Sequence, residues 1–271
     1  MRLPRTKLIG LPLAVVAASL FTTLGTGTPA HAAATWDEAA AEAAAYAYSA
    51  DMFESSTSVA TYGRLGITDT ASTYIESTAA GTTTWKKAFI HGQTQERWNW
   101  CGPAAATTML TNAHVPGVSQ TTLAKSTGTD GLGWTPPWNM ASALNYQFDH
   151  YYGFPSSVHN WLLYGNTKST YLSNDRLWNA VTNWIDTFGA STTIVVYSSK
   201  IWYPSAAKLT AHYLVIYGYT NNYLGHGRTY LVWDPEPSSV GGGVHHLAAI
   251  DYERVAYLGH YVIGFNNTSS P

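Results

Sequence analysis

Cys101 is the chain's one cysteine, set in Gln95-Glu96-Arg97-Trp98-Asn99-Trp100-Cys101-Gly102-Pro103-Ala104-Ala105 just ahead of a helical pattern. A lone cysteine has no internal disulfide partner, so it is buried and inert, paired with another chain, or reactive. The helix start favours reactivity. The first N–H groups of a helix lack intrahelical acceptors, and the macrodipole places partial positive charge there. Both favour a thiolate, which is the nucleophilic form.

Thiol catalysis needs a base and a group that orients it. His212 opens the β-prone run His212–Tyr219, and Asp234 follows the run Arg228–Trp233 in Trp233-Asp234-Pro235. An antiparallel hairpin of these runs brings both to one sheet end. There one imidazole nitrogen can face the thiol while the other donates to the carboxylate. Gln95, six residues before Cys101, supplies an amide that can join the Cys101 backbone N–H as an oxyanion hole. Gln93 competes, and the six-residue spacing selects Gln95.

Each residue also has a structural reading. Cys101 can be a small buried hydrophobe, His212 a core histidine and Asp234 a turn residue before proline. Their order along the chain favours the chemical reading. Trp98 and Trp100 read as packing residues and His226, between glycines, as a loop histidine. Adjacent His245 and His246 on a strand point to opposite faces, and no acidic pair with metal-site spacing accompanies them. No metal and no cofactor are expected.

The elements that must position these residues are legible. Ala105, Ala106, Met109, Leu110 and Ala113 form one helical stripe after Cys101, with Pro103 in the first turn. Ser119 caps a short helix through Lys125, and Trp138–Tyr146 reads as another. Leu177–Phe188 is amphipathic through Leu177, Val181, Trp184 and Ile185, with Gly189 to end it. Strands are expected over Thr192–Ser198, His212–Tyr219, Arg228–Trp233 and Tyr261–Phe265. Helices first and adjacent strands later give an α+β fold with an antiparallel sheet.

Gln-x5-Cys-Gly-Pro-Ala, then His-Tyr-Leu-Val-Ile-Tyr-Gly-Tyr, then Asp-Pro, resembles the bacterial papain-like cysteine peptidases related to the double-glycine leader peptidases, over roughly residues 85–265. The resemblance implies a papain-like fold whose helical half carries the cysteine and whose sheet carries histidine and aspartate. It implies Cys101 as nucleophile, His212 as its partner, Asp234 as the group orienting His212, and Gln95 as oxyanion donor. Unlike transporter-borne members, the sequence shows no transmembrane segment and no P-loop.

The N-terminus reads as a secretory signal, residues 1–32: basic Arg2, Arg5 and Lys7, an apolar stretch Leu8–Phe21, and Ala30-His31-Ala32 as cleavage site. Removing it takes three of the 14 basic residues and none of the 16 acidic ones, deepening the net charge from −2 to −5. Such a chain has nothing to grip phosphate, so nucleic acid is excluded as a partner. A secreted extracellular monomer without stable membrane association is expected, with a protein or peptide as substrate. Residues 33–84 read as an N-terminal extension or propeptide: an Ala-rich helix over Trp36–Ser49 capped by Thr35, then an irregular Ser/Thr/Gly-rich stretch from Ser55 to Thr84. Residues 85–271 are the peptidase domain. Peptide-bond hydrolysis leads. Transglutaminase-like acyl transfer on the same machinery and a non-catalytic extracellular binding module remain as alternatives.

Overall fold

Helix formation begins at the nucleophile candidate itself. Helix α1, Cys101–Asn112, has Pro103 in its first turn, where a missing N–H costs nothing. Its Ala104, Ala105, Ala106, Met109 and Leu110 are buried, as the stripe requires. Thr107, Thr108 and Thr111 satisfy their hydroxyls on carbonyls one turn back. Asn112 anchors the far end: its amide donates to the carbonyls of Phe89 and Gly189, and its Oδ1 accepts from the Ser191 N–H and hydroxyl.

The computed structural model describes residues 72–78, 81–153, 161–165, 171–197, 201–202, 211–225, 227–258 and 260–265. The signal segment, the Ala-rich helix expected over Trp36–Ser49, the stretch from Ser55 to residue 71, and His226 lie outside the described residues.

Helix α2, Gln120–Thr127, is capped by Ser119, whose hydroxyl accepts the Thr122 N–H. After the single turn α3, Thr129–Leu132, comes α4, Pro137–Tyr152. This helix runs past the expected end at Tyr146 because Phe148 continues the buried face of Met140 and Leu144; Gly153, at φ 70°, stops it. Helix α5, Asn174–Phe188, buries Leu177, Val181, Trp184 and Ile185 and ends at Gly189.

The strands are β1 (Ser72–Thr78), β2 (Gly81–Lys87), β3 (Trp161–Tyr164), β4 (Thr192–Tyr197), β5 (Ala211–Thr220), β6 (Thr229–Asp234), β7 (Gly243–Ala248) and β8 (Val262–Phe265). They make one sheet in the order β1-β2-β5-β4-β8-β3, with β6 pairing β5 and β7. Every ladder is antiparallel. The expected α+β class with an antiparallel sheet therefore stands. Strand β5 is buried along nearly its whole length, which explains why its sequence is apolar throughout rather than alternating. Helices α1 and α5 pack on it, joining Met109, Leu110, Ile185, Leu214 and Val215 in one core.

One expectation fails. The stretch read as irregular up to Thr84 contains the β1–β2 hairpin, whose second strand pairs with β5. Its Ser/Thr-rich composition hid an alternation: Thr83 and Trp85 are buried while their neighbours are exposed. Trp85 donates its indole N–H to Glu76 across the hairpin at 2.8 Å.

Candidate active site

Cys101 is the first residue of α1, partly exposed, with no side chain capping the helix end in front of it. The residues behind it are fixed. Gly102 lies so close to the loop after α3 that a Cβ on it would sit 2.2 Å from Thr135 Oγ1. The Thr135 hydroxyl is itself in a buried chain with Thr129 and Thr127, at 2.7 Å per link. Tyr213, next to His212 on β5, donates its hydroxyl to the Thr135 carbonyl at 2.7 Å. Trp100 is buried and gives its indole N–H to Asp130. Glycine after the cysteine is thus a packing requirement: only without a Cβ can the helix start come this close to the loop.

His212 and Asp234 meet at the same sheet end, as the antiparallel β5–β6 pairing demands. His212 Nε2 lies 2.8 Å from Asp234 Oδ1, and both side chains are buried. The Cys101 thiol lies within electrostatic reach of the ring, and with Nε2 committed to Asp234 the nitrogen left to serve it is Nδ1. Burial alone would lower the His212 pKa. The hydrogen bonds and charges of Asp234 and Cys101 outweigh it and push the value up to about 10. Asp234 is held by two further donors: the Glu236 N–H reaches Oδ1 at 2.9 Å and the Trp202 indole N–H reaches Oδ2 at 2.7 Å.

Gln95 is buried beside the turn that leads into Cys101. Its Nε2 donates to the Trp98 carbonyl at 3.2 Å, and its backbone N–H donates to the Pro235 carbonyl at 2.7 Å. The segment is thereby tied to the residue after Asp234. Gln120, at the start of α2, grips both flanks: its amide donates to the Thr94 carbonyl at 2.7 Å and accepts the Glu96 N–H at 3.0 Å. Gln93 instead turns its side chain to the His91 carbonyl at 3.4 Å, while Trp233 donates its indole N–H to the Gln93 carbonyl.

The structure therefore bonds His212 to Asp234, brings Cys101 within electrostatic reach of His212 and sets Gln95 on the adjoining segment. Trp100 packs as expected. Trp98 does not: its side chain is 76% exposed, because the turn before α1 projects it away from the core. His245 and His246 do point to opposite faces. His245 stacks on Trp202 at 3.9 Å between ring centres, and His246 stacks on Trp85 at 5.1 Å. Among the described residues no group of His, Cys, Asp and Glu could hold a metal ion, and no helix is long and apolar enough to cross a membrane.

Sequence reasoning missed Trp202, Gln120 and Glu236. Trp202 acts through one long-range hydrogen bond and Gln120 through two, which leave no periodic trace. Glu236 had a signal, since it directly follows the Asp234-Pro235 pair.

A search of curated proteins finds no match to the chain. Residues 87–261 match the model of the Peptidase_C39 like family, a span that includes Gln95, Cys101, His212 and Asp234. That match covers more than half of the chain, so the protein belongs to the Peptidase_C39 like family and is a cysteine-type peptidase of the papain-like kind.

Proposed function

We propose that this protein is a secreted peptidase that hydrolyses peptide bonds of a protein or peptide substrate through Cys101, His212, Asp234 and Gln95. One observation carries the reading: His212 is bonded through Nε2 to a buried carboxylate and has the Cys101 thiol within electrostatic reach. An imidazolium so held stabilises a thiolate beside it.

Cys101 Sγ attacks the scissile carbonyl. The oxygen takes the negative charge and is met by the Cys101 N–H and the Gln95 amide. His212 gives its Nδ1 proton to the leaving nitrogen, the C–N bond breaks, and the amine product departs from the thioester. His212 then takes a proton from water, whose oxygen attacks the thioester and expels the thiolate. Asp234 keeps the ring in one orientation throughout. The partial exposure of Cys101 gives water access to the thioester, as hydrolysis requires.

The direct test is labelling with an iodoacetamide probe, with and without denaturant, followed by incubation with a peptide library. Rapid labelling of the native protein together with new peptide termini is the expected result. A thiol that labels only in denaturant, with no cleavage, points instead to a binding module. Amide products joined to an added amine point to acyl transfer.

A further inference from the structure

We propose that Glu236 selects substrates with a basic side chain on the residue that follows the scissile bond. The inference rests on the assignment of Cys101, His212 and Gln95 made above. Glu236 is fixed in place through its backbone: its N–H donates to Asp234 Oδ1 at 2.9 Å, and the preceding Pro235 carbonyl accepts the Gln95 N–H at 2.7 Å. Its carboxyl lies within electrostatic reach of Gln95, His212 and Asp234. Gln95 flanks the oxygen of the scissile carbonyl, and His212 flanks the nitrogen that leaves. A group beside both lies near the leaving-group side of the bond.

Glu236 is half-buried. Among the described residues no lysine or arginine pairs with it; its one cationic neighbour is His212, which already serves Asp234 and Cys101. Burial pushes the Glu236 carboxyl pKa up, with Asp234 adding to the rise and His212 and Gln95 opposing it. Its charge is thus incompletely compensated. Gln95 Oε1, buried on the same segment, also finds no donor in the protein. Cys101, Asp234 and Glu236 together share the one imidazole of His212. A guanidinium or ammonium from the substrate would supply the missing donors and charge. It would also neutralise a carboxylate that otherwise opposes the oxyanion forming nearby, so both binding and chemistry gain.

The test uses the full-length secreted protein and an equimolar library of synthetic peptides, with mass spectrometry reading the residue after each cleavage. The best peptide is then remade with Arg, Ala or Glu at that position, and kcat/KM is measured for wild type, Glu236→Gln and Glu236→Lys. Wild type should prefer Arg over Glu by about 10-fold or more, the scale of one charge-assisted hydrogen bond. The ratio should collapse toward about one in Glu236→Gln and invert in Glu236→Lys. Glu236→Gln, nearly the same shape, keeps the test open if the lysine variant does not fold. Cleavage by wild type without a basic preference, or a preference unchanged in Glu236→Gln, overturns this inference alone. No cleavage of any peptide by wild type overturns the peptidase assignment and this inference with it.

Discussion

At the scale of single residues, His212 is where the competing forces are largest. Burial disfavours its charge, yet Asp234 and Cys101 together hold its proton up to about pH 10, well above the usual 6.5. A group whose pKa rises on folding binds protons more tightly in the native state. Its contribution to stability is therefore complete below about pH 6.5 and is lost as pH rises through about 10. Two measurements check this. The alkaline limb of kcat/KM should fall near pH 10, and the melting temperature should decline over the same window. Both features should vanish in His212→Ala. An alkaline limb near pH 6.5 would show that His212 has no partnered proton.

Gln95 gives a second test at this scale. Gln95→Ala removes the proposed oxyanion donor and should lower kcat about 10²–10³-fold. Gln93→Ala loses only a long, exposed contact and should stay close to wild type. Greater damage in the Gln93 variant would mean that the six-residue spacing selected the wrong glutamine. The candidate residues were legible because each carries a rare chemistry: one cysteine in the chain, one histidine opening a strand, one aspartate closing the next. Glu236, Gln120 and Trp202 were not, because carboxylates, amides and indoles serve many purposes and only the fold brings these three to the site.

At the scale of elements, the position of Cys101 depends on how closely α1 approaches the Thr135 loop. Gly102→Ala would force a methyl group into Thr135, a backbone-anchored neighbour with its own hydrogen bonds. Overpacking of this kind costs about 1–3 kcal/mol. It should also shift Cys101, and a displacement near 1 Å can cost about 10²-fold in rate. Thermal melting and kcat should both fall; an unchanged kcat would show that the helix start tolerates movement. The long helices and the apolar strands were readable from periodicity, since tertiary packing and sequence pattern agree there. The β1–β2 hairpin was not readable. Its Thr and Ser residues carry weak hydrophobic contrast, and only Trp85 marks the buried face. Strand β3 was missed because four residues are too few to show a period.

At the scale of the whole molecule, the hairpin limits what can be removed from the N-terminus. Trp85 is fully buried against Tyr217 and Leu231 and pairs with Glu76, so the hairpin belongs to the sheet. We expect the exported protein to begin at Ala33 and any shorter active form to begin between Ser55 and Ser72. N-terminal sequencing of active culture supernatant decides this. A fully active form starting inside the hairpin would contradict the structural role given to it. The central claim concerns Cys101, and one comparison tests it most directly. Purified wild type and Cys101→Ala, matched for melting temperature, are incubated with the same peptide library. The account predicts cleavage by wild type and none by Cys101→Ala. Cleavage by Cys101→Ala at the wild-type rate would contradict it.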